Sequence, residues 1–215
     1  MVRRCKTAIL ISGSGTNLQA LIDAVGRGDL ALELCVVFSN NPNAFGLERA
    51  EKAGIPTACI QHRDYPDRES FDDAVIAELD QFEPDLLVLA GFMRILSNRF
   101  VKHYKGRILN IHPALLPNYP GLNTHQRVID AGDEWHGSTV HFVTEKLDAG
   151  PRILQGRLKV KPGETAEQLA LRVQAVEHHI YPQAAGWVGS GKVEFRDGHC
   201  WVDGKQAQEP VVQSF

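Results

Sequence analysis

Asn110 and His112 stand two apart in the stretch NIHPALLPNYPG, and Pro113 follows at once. On an extended strand, residues two apart point to the same side, so both polar side chains project from one face while Ile111 packs behind. Pro113 removes a ladder donor and fixes φ, which ends the strand, and Pro117 and Pro120 stiffen the loop beyond it. Asp148 lies in HFVTEKLDAGPRIL between two strand-like runs, where the following Ala-Gly-Pro marks a turn. An ionised carboxylate within a few ångströms of His112 favours the imidazolium, an acid able to donate a proton near neutral pH. Plainer alternatives stay open on these residues alone: a capping Asn, a satisfied buried His and a turn-capping Asp.

A third motif, ISGSGTNL at 11–18, follows the first strand and precedes a helix. Its two glycines let backbone N–H groups converge on an anion at the positive end of the helix dipole. Leu18 replaces the third Gly of a dinucleotide loop, and no Gly-Lys-Ser/Thr is present for a triphosphate. A monophosphate suits this loop better than a dinucleotide or ATP, although a tight turn without a ligand has the same pattern. His136 and His141 are five apart, which on a continuous strand places them on opposite faces, while His178 and His179 diverge on a helix. No metal-ligand spacing emerges, and there is no G-x-S-x-G elbow or activating context for a cysteine.

These residues need a scaffold that brings loop ends together. Short apolar runs (TAILIS, LELCVVFS, TACI, DLLVLAG) alternate with amphipathic stretches (TNLQALIDAV, AFGLERAEKAG, RESFDDAVIAELDQF). This alternation predicts an α/β fold: a Rossmann-like doubly wound, mostly parallel sheet with helices on both faces. Phe71, Val75, Ile76, Leu79 and Phe82 recur at helical spacing. RILNI, GSTVHFVTE and RILQGRLKV follow as strands, HQRVIDAG as a helix ended by Gly132, and ETAEQLALRVQAVEHHIY as a long helix. Asp197-Gly198 between two alternating runs marks a C-terminal β-hairpin. We expect a single domain over 1–202, with a phosphate-binding half at about 1–105 and a catalytic half at about 106–202, and a mobile tail at 203–215.

The chain has 215 residues, 43% hydrophobic and 23% charged, with a formal net charge of -3. That balance argues against nucleic acid as a partner. Cys5, Cys35, Cys59 and Cys200 are scattered without a C-x-x-C pair, which fits a reducing cytoplasm. No apolar run approaches the roughly 18 residues of a membrane span.

Together, LISGSGTNLQALIDA, VFSNNPNAFGLERA, LAGFMRILS, LNIHPALLPNYPG, HGSTVHFVTEKLDAGPRILQ and EHHIYP resemble the phosphoribosylglycinamide formyltransferase (glycinamide ribonucleotide transformylase) family, from about residue 7 to about 202. The resemblance implies glycinamide ribonucleotide as one substrate and 10-formyltetrahydrofolate as the formyl-donating co-substrate, with no metal, no membrane and a homodimer left open. Gly15, Thr16 and Asn17 would cradle the ribonucleotide phosphate, and Gln174 and Glu177 would contact the same substrate. Arg68 would meet the folate's glutamate tail. Met93, Arg94, Ile95 and Leu96, with Thr144, Glu145, Lys146, Leu147 and Asp148, would wrap the pterin. Asn110, His112 and Asp148 would be the catalytic trio, with Asn110 also touching the folate. Without the resemblance, Arg68 and Glu177 read as surface charges and Met93, Ile95 and Leu96 as core. Asn123 departs from the family pattern, which carries a His there. Sister formyltransferases, a formyltetrahydrofolate hydrolase and a phosphometabolite sensor that has lost the reaction are the competing expectations.

Overall fold

The computed structural model describes residues 3–215, which fall into two compact units, one ending at Leu109 and the other spanning Asn110–Phe215. The first unit contains β1 (Cys5–Ile11), α1 (Thr16–Gly26), β2 (Leu32–Ser39), α2 (Phe45–Lys52), β3 (Thr57–Cys59), α3 (Arg68–Asp80), β4 (Leu86–Leu89) and α4 (Asn98–His103). Its strands run in the order β3-β2-β1-β4, and every pairing among them is parallel. The chain therefore winds outward from β1 to β3 and returns to β4 on the other side of β1. This reversal creates the crevice at strand carboxyl ends where such sheets bind ligands. Ala8 to Ile11 have no exposure at all, because a strand covered on both faces gains from continuous apolar character.

Two helices of this unit, α3 and α4, start where a side chain satisfies a free N–H group. Asp67 accepts from the Ser70 N–H at the start of α3, whose Phe71, Val75 and Leu79 are buried. Ile76 and Phe82, expected on the same face, are half-buried. Ser97 likewise caps α4 through the Phe100 N–H, and this helix is one that the alternating pattern does not predict.

The second unit begins within β5 (Ile108–His112) and continues through α5 (Thr124–Ala131), β6 (Trp135–Phe142), β7 (Arg152–Lys159) and α6 (Ala166–Gly189). β8 (Val193–Arg196), β9 (His199–Val202), β10 (Lys205–Gln206) and β11 (Val211–Ser214) complete it. β6 and β7 pair antiparallel with a bulge between Val140 and His141, and β11 adds to β7 in parallel. α6 begins with a capping box between Thr165 and Gln168. Gly156 on β7 lets this helix come close, since a Cβ there would run into the Val176 side chain.

Asp197 and Gly198 both have positive φ, the primed turn expected between β8 and β9, and β10 extends this hairpin into a separate three-stranded sheet. The expected mobile tail needs correction. Residues 203–215 contain β10 and β11, because the apolar Val211-Val212 run finds an open edge on β7, a partner more than fifty positions earlier. Among the described residues no helix is long and apolar enough to cross a membrane.

Candidate active site

β5 delivers Asn110 and His112 to its carboxyl end, and Pro113 turns the chain away. His112 is only 5% exposed, yet both ring nitrogens face oxygens. Its Nε2 lies 2.8 Å from the Tyr119 carbonyl and its Nδ1 3.5 Å from Asp148 Oδ2. A carbonyl can only accept, so Nε2 carries a hydrogen. Asp148 sits at φ +50, in the left-handed region that Asp tolerates better than most residues. The same carboxylate oxygen accepts from the Gly121 N–H at 2.9 Å, so the proline-rich loop is held by His112 through Tyr119 and by Asp148 through Gly121.

His141, weighed in the sequence only as a possible metal ligand, joins this site. Its Nδ1 donates to the Phe142 carbonyl at 2.9 Å, and its burial pushes the pKa down, so the ring is neutral and Nε2 holds a lone pair. Asn110 Nδ2 lies 3.2 Å from that nitrogen and must therefore donate to it. The amide is thereby oriented, with one N–H spent on His141 and the second N–H left for another acceptor. His141 Nε2 is also 4.0 Å from Asp148 Oδ1, so half-buried Asn110 joins His141, Asp148 and His112 in one polar cluster. Beside His141 the β6–β7 register shifts, with Ile153 of β7 as the extra residue, and such a shift is not readable from apolar alternation.

Gln174 and Glu177 are three apart on α6 and hence on one face. Ser138 Oγ lies 3.0 Å from Glu177 Oε1 and 2.8 Å from the His112 carbonyl; both are acceptors, so its single hydrogen serves one of them at a time. Thr144 to Leu147 lie in the β6–β7 loop, in which Thr144 Oγ1 donates to the Lys146 carbonyl and Leu147 is 58% exposed. Asn123 sits at φ +57 at the start of α5, a backbone conformation in which Asn is unusually well tolerated. Beside it in sequence, His125 Nδ1 and His136 Nε2 meet at 2.9 Å. Burial pushes the His136 pKa down to about 4.

In the first unit, Gly15 starts α1 at φ +68 and presses against Gly46 of α2, where a Cβ on Gly15 would lie 2.7 Å from the Gly46 Cα. Gly46 N donates to the Gly13 carbonyl and Arg49 Nε to the Ser14 carbonyl. Both contacts take carbonyl oxygens, so neither of them uses a loop N–H, the kind of group an anion would need. Thr16 and Asn17 open α1, and Arg68 opens α3 with its side chain exposed. Met93 and Ile95 are 69% and 61% exposed, whereas Arg94 and Leu96 are half-buried. The expectation that Met93 and Ile95 are core is thus corrected: the segment after β4 presents them outward. Buried Asp72 underlies this segment, accepting from the Ser97 N–H at 2.5 Å. Burial raises its pKa, against the opposing pull of Ser97, Arg68 and Arg94. Among the described residues, no group of three or more His, Cys, Asp or Glu is placed to hold a metal ion.

Comparison with known proteins is consistent with these features. The formyl transferase family model matches residues 5–185. A phosphoribosylglycinamide formyltransferase from Escherichia coli is 49% identical over 198 residues, covering 92% of this chain and 93% of that protein. The enzyme of the same name from Haemophilus influenzae is 44% identical over 200 residues, covering 93% and 94%. The solved structure of the phosphoribosylglycinamide formyltransferase from Coxiella burnetii gives a TM-score of 0.93 at 47% identity, covering 97% of this chain and 99% of that one. With a family model spanning most of its length and full-length relatives near half identity, the chain belongs to the formyl transferase family.

Proposed function

We propose that this formyltransferase moves a formyl group from 10-formyltetrahydrofolate to the amine of N1-(5-phosphoribosyl)glycinamide, a step of de novo purine biosynthesis in the cytoplasm. The observation that carries the proposal is the polar cluster of Asn110, His112 and Asp148, ordered by His141, in a chain whose full-length relatives bear that enzyme's name. Gly15, Thr16 and Asn17 take the phosphate, Gln174 and Glu177 hold the glycinamide end, Arg68 meets the glutamate tail, and Met93 to Leu96 with Thr144 to Asp148 wrap the pterin.

The substrate amine attacks the formyl carbon, and the carbonyl oxygen gains negative charge as the centre becomes tetrahedral. Preorganised donors stabilise such charge best, because they need no reorganisation as it develops. The second Asn110 N–H and the His112 Nε2–H are two such donors. The developing oxyanion is a stronger acceptor than the neutral Tyr119 carbonyl and takes the Nε2–H from it. Asp148 faces Nδ1, stabilises the imidazolium and helps a water carry the amine proton to the folate nitrogen as its bond to the formyl carbon breaks. The amine is itself the nucleophile, so the reaction as written needs neither an acyl-enzyme nor a metal, and holding the two substrates together supplies much of the rate.

An absorbance assay of 10-formyltetrahydrofolate turnover, with and without glycinamide ribonucleotide, tests the proposal. Turnover that requires the ribonucleotide is expected. Equal turnover without it would point to hydrolysis, and none in either case would overturn the assignment.

A further inference from the structure

We propose that Ser12 is a positioning residue that ties the phosphate loop to the Met93 segment, so that each substrate strengthens the binding of the other. The inference deepens the function above and rests on its phosphate and pterin assignments. Ser12 is the first residue after β1 and the last before Gly13. Its backbone N–H donates to the Gly91 carbonyl at 3.1 Å, and its own carbonyl accepts from Asn41 Nδ2 at 3.4 Å. Its hydroxyl donates to Asn40 Oδ1 at 2.6 Å and accepts from the Met93 N–H at 2.8 Å.

The direction of each bond follows from chemistry. Met93 N–H can only donate and Asn40 Oδ1 can only accept, so the single hydroxyl hydrogen goes to Asn40 and a lone pair serves Met93. Asn40, 6% exposed, then turns its amide to His62 Nδ1 at 3.2 Å. A polarised chain thus runs from Met93 through Ser12 and Asn40 to His62, in the stretch leading to Arg68. A side chain with the same oxygen but no hydrogen could not serve both ends. Neither could an apolar one.

The neighbouring loop is held from its far side at Gly13 and Ser14 by Gly46 and Arg49. Ser12 therefore joins the backbone that opens the phosphate loop to the Met93 backbone, so a ligand that restrains either one further also restrains the other. Ordering by one ligand lowers the ordering cost for the second, and by linkage the factor is the same in both directions.

The test uses a non-reacting pair, glycinamide ribonucleotide with tetrahydrofolate, and measures the folate's Kd by calorimetry with and without the ribonucleotide. In the wild type the ribonucleotide is expected to tighten folate binding by about fivefold or more. In Ser12→Ala the ratio should fall towards one and the KM for the formyl donor should rise about tenfold, with kcat nearly unchanged. Ser12→Thr, which keeps the hydroxyl, should restore the ratio. If Ser12→Ala does not fold, Ser12→Cys, with a weakly bonding thiol, should show the same loss. A wild-type ratio of one, or an undiminished ratio in Ser12→Ala, would overturn the inference alone. Wild-type protein that binds neither ligand would instead overturn the function on which it rests.

Discussion

After β1 the groups proposed to face a ligand are backbone N–H groups, shaped by Gly15 against Gly46, whereas after β5 they are the side chains of Asn110, His112 and Asp148. The first region is set by how closely two helices approach a turn, so it tolerates exchange of exposed side chains and resists a single added methyl. The second is set by hydrogen-bond direction and charge, so it resists exchange of one atom in a side chain that keeps its shape. An anion needs convergent dipoles, which the backbone supplies at no cost in side-chain entropy. A developing oxyanion and a moving proton need groups of defined pKa and orientation.

The largest expected effect is a change of one atom in the side-chain region. Asp148→Asn keeps an oxygen for Gly121 N–H but removes the charge facing His112, and kcat should fall about 10³-fold or more while ribonucleotide affinity holds. Steady-state kinetics within about tenfold of wild type would contradict the role given to Asp148. Next comes Asn110→Ala, which removes one oxyanion donor and should lower kcat by about 10²–10³-fold. If only the KM of the folate moved, Asn110 would be a binding group and not a stabiliser of the transition state.

Gly46→Ala breaks the other region. Its Cβ would meet the Ile11 side chain and lie 3.2 Å from the Gly15 Cα, so the loop must shift. The KM for the ribonucleotide should rise about tenfold with kcat preserved. A fall in kcat with unchanged KM would erase the contrast between the two regions.

The smallest effect is on pH-dependent stability. Folding lowers the His136 pKa to about 4 from 6.5, chiefly through burial, and lowers those of His125 and His141 for the same reason. The unfolded chain therefore binds more protons between about pH 6.5 and 4, so this stabilisation is complete above that window and is lost as pH falls through it. The thermal midpoint should drop across this range, and less steeply in His136→Gln. A wild-type midpoint independent of pH there would rule the effect out.

Much of the scaffold was legible because it depends on local chemistry. Continuous apolar runs announced covered strands, Gly132 ended α5, and Asp197-Gly198 made the hairpin turn. β11 was not legible, since a four-residue strand on an edge needs a partner that sequence neighbours do not reveal. The short α4 depends on a Ser97 cap that Asp72 helps to hold, a contact across twenty-five positions.

By itself the sequence determined that this chain is an α/β protein with a glycine-shaped loop after its first strand and an Asn and a His on one face of a later strand. Periodicity and backbone sterics act over a few residues, and those features need nothing more. Only the tertiary structure decided that neutral His141 orients Asn110, that Ser138 stands between Glu177 and the His112 carbonyl, and that Ser12 joins Met93 to Asn40. Hydrogen bonds of this kind require atoms within about 3 Å of one another, and only the folded chain brings residues from distant elements that close.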